Sequence, residues 1–210
     1  MLRFLGWLFA AGFMIVIGVA AAAIYIVMDV SKDLPDYKQL AAYEPPVMTR
    51  MHAADGSLLA EYAEQRRLFV PIQNVPKKLI EAYLAAEDKT FYTHSGLDYR
   101  GIFAAALRYV QVKVTGRGQI VGASTITQQV AKNFLLSSEQ TLSRKLKEAL
   151  IVQRIEASFS KDQILELYLN EIFLGLNSYG IAAAALNYFG KSLDELTIDE
   201  MAYLAALPKG

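Results

Sequence analysis

The first thirty residues carry the strongest hydrophobic signal in the chain. Residues 4–28 contain no charged side chain. As a helix, these 25 residues would be about 37 Å long, which exceeds the roughly 30 Å of a bilayer's hydrocarbon core. Arg3 precedes the run, whereas Asp29 and Lys32 follow it. The positive-inside tendency therefore predicts a transmembrane anchor over residues 1–30, with its N-terminus in the cytoplasm and the remainder outside.

A cleaved signal peptide is the alternative interpretation of this segment. Residues 20–23 are all alanine and resemble a cleavage site. The apolar region of a signal peptide normally spans about 7–15 residues, which is shorter than the run found here. We therefore favour an uncleaved anchor.

Residues 31–70 break this pattern. Pro35, Pro45 and Pro46 interrupt regular elements, so we expect a juxtamembrane linker. Two short runs, residues 47–52 and 58–62, flank Asp55-Gly56, which is a turn signal typical of hairpins. The segment thus predicts a small strand pair.

Beyond residue 71 the apolar spacing becomes helical. Ile80, Tyr83, Leu84 and Glu87 follow one another at i, i+3, i+4 and i+7, which predicts a helix with one buried face. A second helix is expected over residues 99–113. For Tyr109 and Val110 on that helix we favour core packing over contact with a membrane interface.

Helix starts are marked further along the chain. In a capping box, a hydroxyl side chain and a Glu or Gln three residues later satisfy free N–H groups. The pattern predicts one mainly α-helical domain over residues 71–210 with little sheet. The capping boxes are Ser137…Gln140, Ser160…Gln163 and Thr197…Glu200.

Composition removes several classes of function. The 21 basic and 21 acidic residues balance, so no charge excess indicates nucleic-acid binding. There are no cysteines, which excludes disulfides and thiolate metal sites. His52 and His94 are the only histidines, too few for a histidine-built metal centre.

Residues 87–98 are the first candidate for chemistry. Glu87 falls on the apolar stripe of its helix, where desolvation would favour its action as a general base. The alternative is a carboxylate at the helix end that turns out to water, and the spacing leaves both open. Asp88 and Asp98 could equally be caps or loop ligands, and an isolated His94 is more often structural.

Residues 122–133 are the second candidate. Thr125, Gln128, Gln129 and Lys132 share one helical face, and the helix N-terminus that follows a glycine-containing loop favours an anion such as phosphate. The alternative is a solvated face, but Thr and Gln are less typical of one than Lys and Glu. At the third candidate, Arg144 and Glu148 are i, i+4 neighbours, which alone indicates a surface ion pair.

Taken together, these segments resemble the peptidoglycan glycosyltransferases, the N-terminal domains of class A penicillin-binding proteins and their monofunctional relatives. The motifs occur in the family's order from about residue 44 to residue 210. They are Glu-Asp-x-x-Phe-x-x-His-x-Gly-x-Asp (87–98), Gly-x-Ser-Thr-Ile-Thr-Gln-Gln (122–129), Lys-Asn (132–133), Arg-Lys-x-x-Glu (144–148), Ile-Leu-Glu-x-Tyr-Leu-Asn (164–170), Tyr-Phe-Gly-Lys (188–191) and Leu-Pro-Lys (207–209).

The resemblance implies a lysozyme-like, mainly α fold with a small strand pair, preceded by one transmembrane helix in the inner membrane. The implied donor is a glycan on undecaprenyl pyrophosphate, and the implied acceptor is lipid II. The catalytic domain would lie on the periplasmic face, in contact with membrane lipid and other cell-wall synthesis proteins, and without nucleic acid. The family usually continues beyond residue 210, so we expect a C-terminally truncated domain.

The resemblance also implies roles for individual residues. Glu87 would be the general base and Glu148 the second catalytic carboxylate. Mg²⁺ or Mn²⁺ is a candidate cofactor, with Glu87 and Asp88 as candidate ligands. The implied substrate-binding residues are Asp88, Phe91, His94, Ser124, Thr125, Gln128, Gln129, Lys132, Asn133, Arg144 and Lys145.

Two other functions remain open on the sequence. A lysozyme-like lytic enzyme would use a buried glutamate as general acid on the same glycan, but it has no need of the basic residues at a pyrophosphate. A catalytically silent scaffold of a cell-wall synthesis complex would need no glutamate at all. The products made from lipid II would distinguish the three.

Overall fold

Helices dominate the structure, and the predicted mainly α-helical fold is confirmed. The computed structural model describes residues 2–32, 34–42, 49–55, 58–62, 66–119, 122, 124–136 and 141–209. The helices are α1 (Leu2–Lys32), α2 (Lys77–Glu87), α3 (Tyr99–Thr115), α4 (Ile126–Leu135), α5 (Leu142–Ser158), α6 (Lys161–Glu171), α7 (Ile181–Phe189) and α8 (Ile198–Ala206).

Helix α1 has the length and composition of a membrane-crossing helix. Its stretch Gly12–Lys32 has a mean hydropathy of 2.4, and none of it is buried in the protein. Among the described residues it is the one helix that meets both criteria. An apolar helix of this length near the N-terminus, which the protein leaves uncovered, is a candidate membrane anchor.

The segment after α1 contacts the domain. Leu34 and Tyr37 pack against the core, and Leu40 is itself buried within a short 3₁₀ helix, Tyr37–Ala42. The start of the predicted linker is therefore held against the domain by three apolar side chains.

The predicted strand pair is present. Strands β1 (Thr49–His52) and β2 (Leu58–Tyr62) are antiparallel, with Thr49 opposite Tyr62. Residues 47–48 of the predicted first strand and Gly56 of the turn lie outside the described residues. A second pair is formed by β3 (Arg66–Arg67) and β4 (Ser178–Tyr179), which run parallel.

The core lies among α2 and α4–α8. Helix α4 packs against α5 and α6, and its Ile126, Val130 and Ala131 are buried. Helix α2 packs against α8, where the Tyr83 hydroxyl donates to the Leu204 carbonyl at 3.1 Å. This arrangement places the C-terminal end of α2 beside the N-terminal end of α4, where two of the sequence motifs meet.

The capping boxes at Ser160 and Thr197 are confirmed. The box predicted at Ser137…Gln140 lies outside the described residues. Thr141 caps α5 by accepting a hydrogen bond from the Arg144 backbone amide.

Helix α3 differs from the prediction in what covers it. The helix forms as expected, but none of its described side chains is buried. Tyr109 is 47% exposed and Val110 57%, so the interpretation of core packing is wrong for both. Apolar spacing predicts that one face of a helix will avoid water, but it does not say whether protein or lipid covers that face.

Side chains of helix α6 form hydrogen bonds with the segment that leads into α2. The Asn170 side chain accepts from the Val70 amide at 2.8 Å and donates to the Val70 carbonyl at 2.9 Å. Glu166 accepts from the Ile72 amide at 2.7 Å, and Arg67 pairs with Glu171 through both guanidinium nitrogens. Glu166 and Asn170 of the 164–170 motif therefore hold the backbone of the segment that precedes α2.

Candidate active site

Glu87 is the last residue of α2, and the fold turns its side chain inward. The residue is half-buried, and its Oε1 atom is fully buried. Its Oε2 atom accepts a hydrogen bond from the Gln129 side-chain amide at 2.8 Å. The carboxylate therefore does not turn out to water, which was the alternative left open by the spacing.

Asp88 connects two motifs. Its carboxylate accepts from the Ile126 amide at the start of α4, at 3.0 Å, and lies 3.0 Å from His94 Nε2. His94 Nδ1 accepts from the Gly96 amide, so Nε2 carries the proton that is donated to Asp88. The anion at the N-terminus of α4 is thus the protein's own Asp88. Of the N–H groups expected there for a phosphate, the Ile126 amide donates to Asp88 and the Gln128 amide donates to Thr125 Oγ1.

Glu148 is the second buried carboxylate, with a residue exposure of 2%. Its Oε1 accepts hydrogen bonds from the Gln128 side-chain amide at 2.7 Å and from Lys145 Nζ at 2.5 Å. Arg144 Nη1 lies 3.7 Å from Oε2. The pair Arg144–Glu148 is therefore part of a buried network, and the interpretation as a surface ion pair is wrong.

Two adjacent glutamines on α4 hold the two glutamates. Gln129 binds Glu87 and Gln128 binds Glu148. Consecutive helical residues point about 100° apart, so the two carboxylates lie on different sides of α4. Because buried carboxylates are stabilised when their oxygens accept hydrogen bonds, this arrangement fixes the position of both.

A cavity of about 300 Å³ opens beside Glu87. Glu87, Asp88, Ser124 and Thr125 line one side, and the N-terminal half of α3 lines the other. Glu87 is therefore accessible to a bound molecule from one side while the protein fixes it from the other.

Two tyrosines lie beneath Glu87. Burial raises the pKa of the Tyr83 and Tyr168 phenols, and the negative charge of Glu87 raises both further. Their rings meet edge to face, with centroids 6.2 Å apart. Both phenols stay protonated at physiological pH, so they provide an uncharged floor to the site.

The sequence profile of the family described as Transglycosylase matches residues 55–210. The chain belongs to the transglycosylase family. It is 56% identical over 196 residues to penicillin-binding protein 1A of Rickettsia prowazekii (strain Madrid E), covering 93% of this chain and 25% of that protein. It is 47% identical over 180 residues to penicillin-binding protein 1A of Escherichia coli (strain K12), covering 86% and 21%.

A solved structure is also similar. The crystal structure of penicillin-binding protein 1A from Haemophilus influenzae is 32% identical, covers 80% of this chain and 15% of that one, and superposes with a TM-score of 0.38. The chain thus spans about a quarter of the length of the curated relatives it matches. The family profile and the penicillin-binding protein relatives confirm the predicted family.

Only some of the predicted substrate-binding residues line the cavity beside Glu87. Ser124 and Thr125 line the cavity with Glu87 and Asp88. Phe91 is buried, and Lys161 lies over its ring at 4.4 Å. The others do not line the cavity: His94, Gln128 and Gln129 engage protein groups, Arg144 and Lys145 face Glu148, and Lys132 and Asn133 are exposed.

Sequence reasoning missed Glu156. Its Oε1 accepts from Thr127 Oγ1 at 2.6 Å and from Lys161 Nζ at 2.8 Å. Its Cγ also lies under Gly96, where a Cβ atom would come within 2.7 Å. Glu156 therefore joins α5 to α4, α6 and the loop after Glu87. No spacing rule connects residues on four different elements, so only the fold reveals this role.

The described side chains do not fit a tightly held divalent cation. No group of three or more His, Asp or Glu residues in the described ranges is arranged to hold one, and Asp88 is already engaged by the Ile126 amide and His94. Mg²⁺ is usually held by one or two carboxylates together with substrate phosphates, so a metal ion bound with the substrate by Glu87 and Asp88 stays a prediction.

Proposed function

We propose that this domain polymerises the glycan strands of peptidoglycan. It would transfer the lipid-pyrophosphate-linked glycan to the 4-hydroxyl of the GlcNAc of lipid II, inverting the donor MurNAc C1 to give a β-1,4 link. The observation that carries this proposal is the pair of glutamates fixed by Gln128 and Gln129, with Glu87 facing a cavity and Glu148 facing cations.

Glu87 would act as the general base. As the acceptor 4-oxygen forms its bond to C1, its proton moves to the Glu87 carboxylate, and the bond from C1 to the pyrophosphate oxygen breaks. The Gln129 amide holds Glu87 in position for this transfer. A positioned base of this kind typically contributes 100-fold or more to the rate.

The leaving pyrophosphate needs positive charge rather than a proton. Lys145 and Arg144 lie beside Glu148, and Lys132 is exposed on α4. Fixed cations of this kind stabilise the negative charge that develops on the leaving oxygen. Glu148 would keep Lys145 and Arg144 in place, since its buried carboxylate needs positive partners.

The lipid-linked substrates require a site at the membrane. Helix α1 would anchor the domain in the inner membrane with the catalytic part on the periplasmic face. The exposed apolar side chains of α3, including Phe103, Leu107 and Val114, support a second contact with the bilayer near the cavity.

The test is turnover of labelled lipid II by the detergent-solubilised chain, with the products resolved by gel electrophoresis. We expect long strands from the wild type and a loss of at least about 100-fold in Glu87→Gln. Glu81→Gln is the matched control, because Glu81 is exposed on the same helix. Circular dichroism verifies that each variant is folded.

Each alternative outcome has a clear meaning. Shortened glycan from a strand substrate would indicate a lytic enzyme, and untouched lipid II would indicate a scaffold. Equal activity in Glu87→Gln and Glu81→Gln would contradict the assignment of Glu87 as the base.

A further inference from the structure

The face of α3 that borders the cavity points to a second cationic site. We propose that Arg108 and Arg117 bind the phosphate groups of the lipid-linked acceptor, on the side of Glu87 opposite to the leaving group. The inference rests on the proposed function, because it assumes an acceptor that still carries its own lipid phosphates when its sugar hydroxyl reacts.

One stripe of α3 runs along the cavity and beyond it. Gly101, Ala104, Ala105 and Arg108 follow one another at i, i+3, i+4 and i+7, and all four line the cavity that contains Glu87. The small side chains leave room opposite the carboxylate. Arg108 is the first large and charged side chain on this stripe, about 10 Å along the helix from Gly101, a separation comparable with the length of a disaccharide.

Arg108 also borders a second cavity, of about 440 Å³. Arg117 lines it together with Gln111 and Gln119, which provide neutral hydrogen-bond donors. The two cavities follow one another along α3 and share Arg108. A ligand that extends from Glu87 along this stripe would therefore pass from the small residues to a space bordered by two guanidinium groups.

The charges of these arginines are not used within the described part of the chain. Arg67 and Arg144 pair with Glu171 and Glu148, whereas neither Arg108 nor Arg117 has a carboxylate of a described residue within ion-pair distance. Two like charges around one cavity repel each other. A phosphate between them would remove that repulsion, and guanidinium groups bind phosphate oxygens in pairs.

The position of Arg108 and Arg117 suits the phosphates of the acceptor substrate rather than those of the donor substrate. Arg144 and Lys145 belong to α5 and do not line the cavity shared by Glu87 and Arg108, so the two cationic groups are separate. The exposed apolar side chains Phe103, Leu107, Val110 and Val114 form a different face of α3. A helix with its apolar face at a bilayer would hold Arg108 near the level of lipid phosphates.

The experiment compares Arg108→Gln and Arg117→Gln with Arg100→Gln in the full chain. Arg100 is exposed on the same helix and lines neither cavity. In phospholipid-free detergent, we expect each of the first two variants to raise the KM for lipid II about tenfold with little change in kcat. Arg100→Gln should match the wild type, and Arg108→Lys should recover part of the loss because it keeps the charge.

A binding measurement separates this inference from the proposed function. In the Glu87→Gln background, which should not turn over, equilibrium binding of fluorescent lipid II should weaken about tenfold when Arg108 or Arg117 is replaced. If the wild type fails to polymerise but this loss of binding occurs, only the proposed function is overturned. Unchanged binding and KM in both variants would overturn the inference.

Anionic phospholipid is the other source of phosphate at a membrane. Vesicles of phosphatidylcholine with and without phosphatidylglycerol distinguish the two. If the substitutions reduce binding to the anionic vesicles alone and leave lipid II affinity in detergent unchanged, the arginines contact headgroups and the acceptor assignment is wrong.

Discussion

Replacing Gly96 with alanine is expected to damage the loop that carries the first motif. Gly96 has a φ of +86°, and a Cβ atom there would lie 2.5 Å from Val152 Cγ1 and 2.7 Å from Glu156 Cγ. A side chain at positive φ costs about 1–2 kcal/mol, and forcing a methyl group into a filled space costs about 1–3 kcal/mol more. We expect Gly96→Ala to lower the free energy of unfolding by about 2–5 kcal/mol.

Gly116→Ala is the matched control for the backbone contribution. Gly116 has a φ of +66°, but a Cβ atom there would meet nothing within 4 Å. Gly116→Ala should therefore lower the free energy of unfolding only by the cost of a side chain at positive φ, about 1–2 kcal/mol. The difference between the two variants isolates the overlap with Val152 and Glu156.

Thermal unfolding in detergent, followed by circular dichroism, measures both losses. One kcal/mol corresponds to about 2–4 °C for a chain of this size, so Gly116→Ala should lose roughly 2–8 °C and Gly96→Ala roughly 4–20 °C. Adding Val152→Ala should recover part of the Gly96→Ala loss, as a double-mutant cycle would quantify. The reasoning is refuted if Gly96→Ala loses no more than Gly116→Ala.

The remaining predictions concern charged groups near the site. Glu156→Gln keeps an acceptor for a hydroxyl donor but removes the charge that faces Lys161 at 2.8 Å; it should lower both the unfolding temperature and lipid II turnover. Glu200→Gln, which breaks the 2.6 Å pair with Lys191 away from the cavity, should leave turnover unchanged, and equal loss of turnover in both would contradict the role of Glu156. The Gly101 amide at the start of α3 lowers the pKa of Asp98, so the folded state binds this proton less readily than the unfolded state. The stabilisation of the folded state by the ionised Asp98 carboxylate should be complete near neutral pH and be lost as pH falls below about 4. The unfolding temperature of Asp98→Asn should lack this acid-dependent fall, and a pH dependence identical to that of the wild type would contradict the assignment.

Periodicity predicted the elements better than their surroundings. The stripe that contains Tyr83 and Glu87 correctly indicated a buried helix face, because a hydrophobic spacing of 3.6 leaves few alternatives. The same kind of spacing on α3 gave the wrong environment for Tyr109 and Val110, since the bilayer and a protein core select the same side chains. The hydroxyl caps at Ser160 and Thr197 were predictable because each depends on residues only three positions apart.

The sequence motifs indicated residues that the fold brings together, but not the contacts between them. The spacing of Thr125, Gln128, Gln129 and Lys132 suggested one polar helical face that contacts substrate. In the structure Thr125 and Gln128 are buried. Thr125 donates to the Gly96 carbonyl and Gln128 donates to Glu148, and both acceptors belong to elements distant in sequence. Hydrogen bonds between separate elements depend on tertiary packing, which a single sequence does not display.

Hydrogen bonds join the segment before α2 to α6 and join α2 to α8, and their separation in sequence affects how the protein folds during synthesis. Val70 and Asn170 are 100 residues apart, and Tyr83 and Leu204 are 121 apart. Contacts this distant close slowly and late in folding. A chain that emerges N-terminus first would therefore expose the apolar face of α2 until more than a hundred further residues have followed. That interval of synthesis, rather than the finished domain, is when proteolysis and aggregation threaten the molecule most.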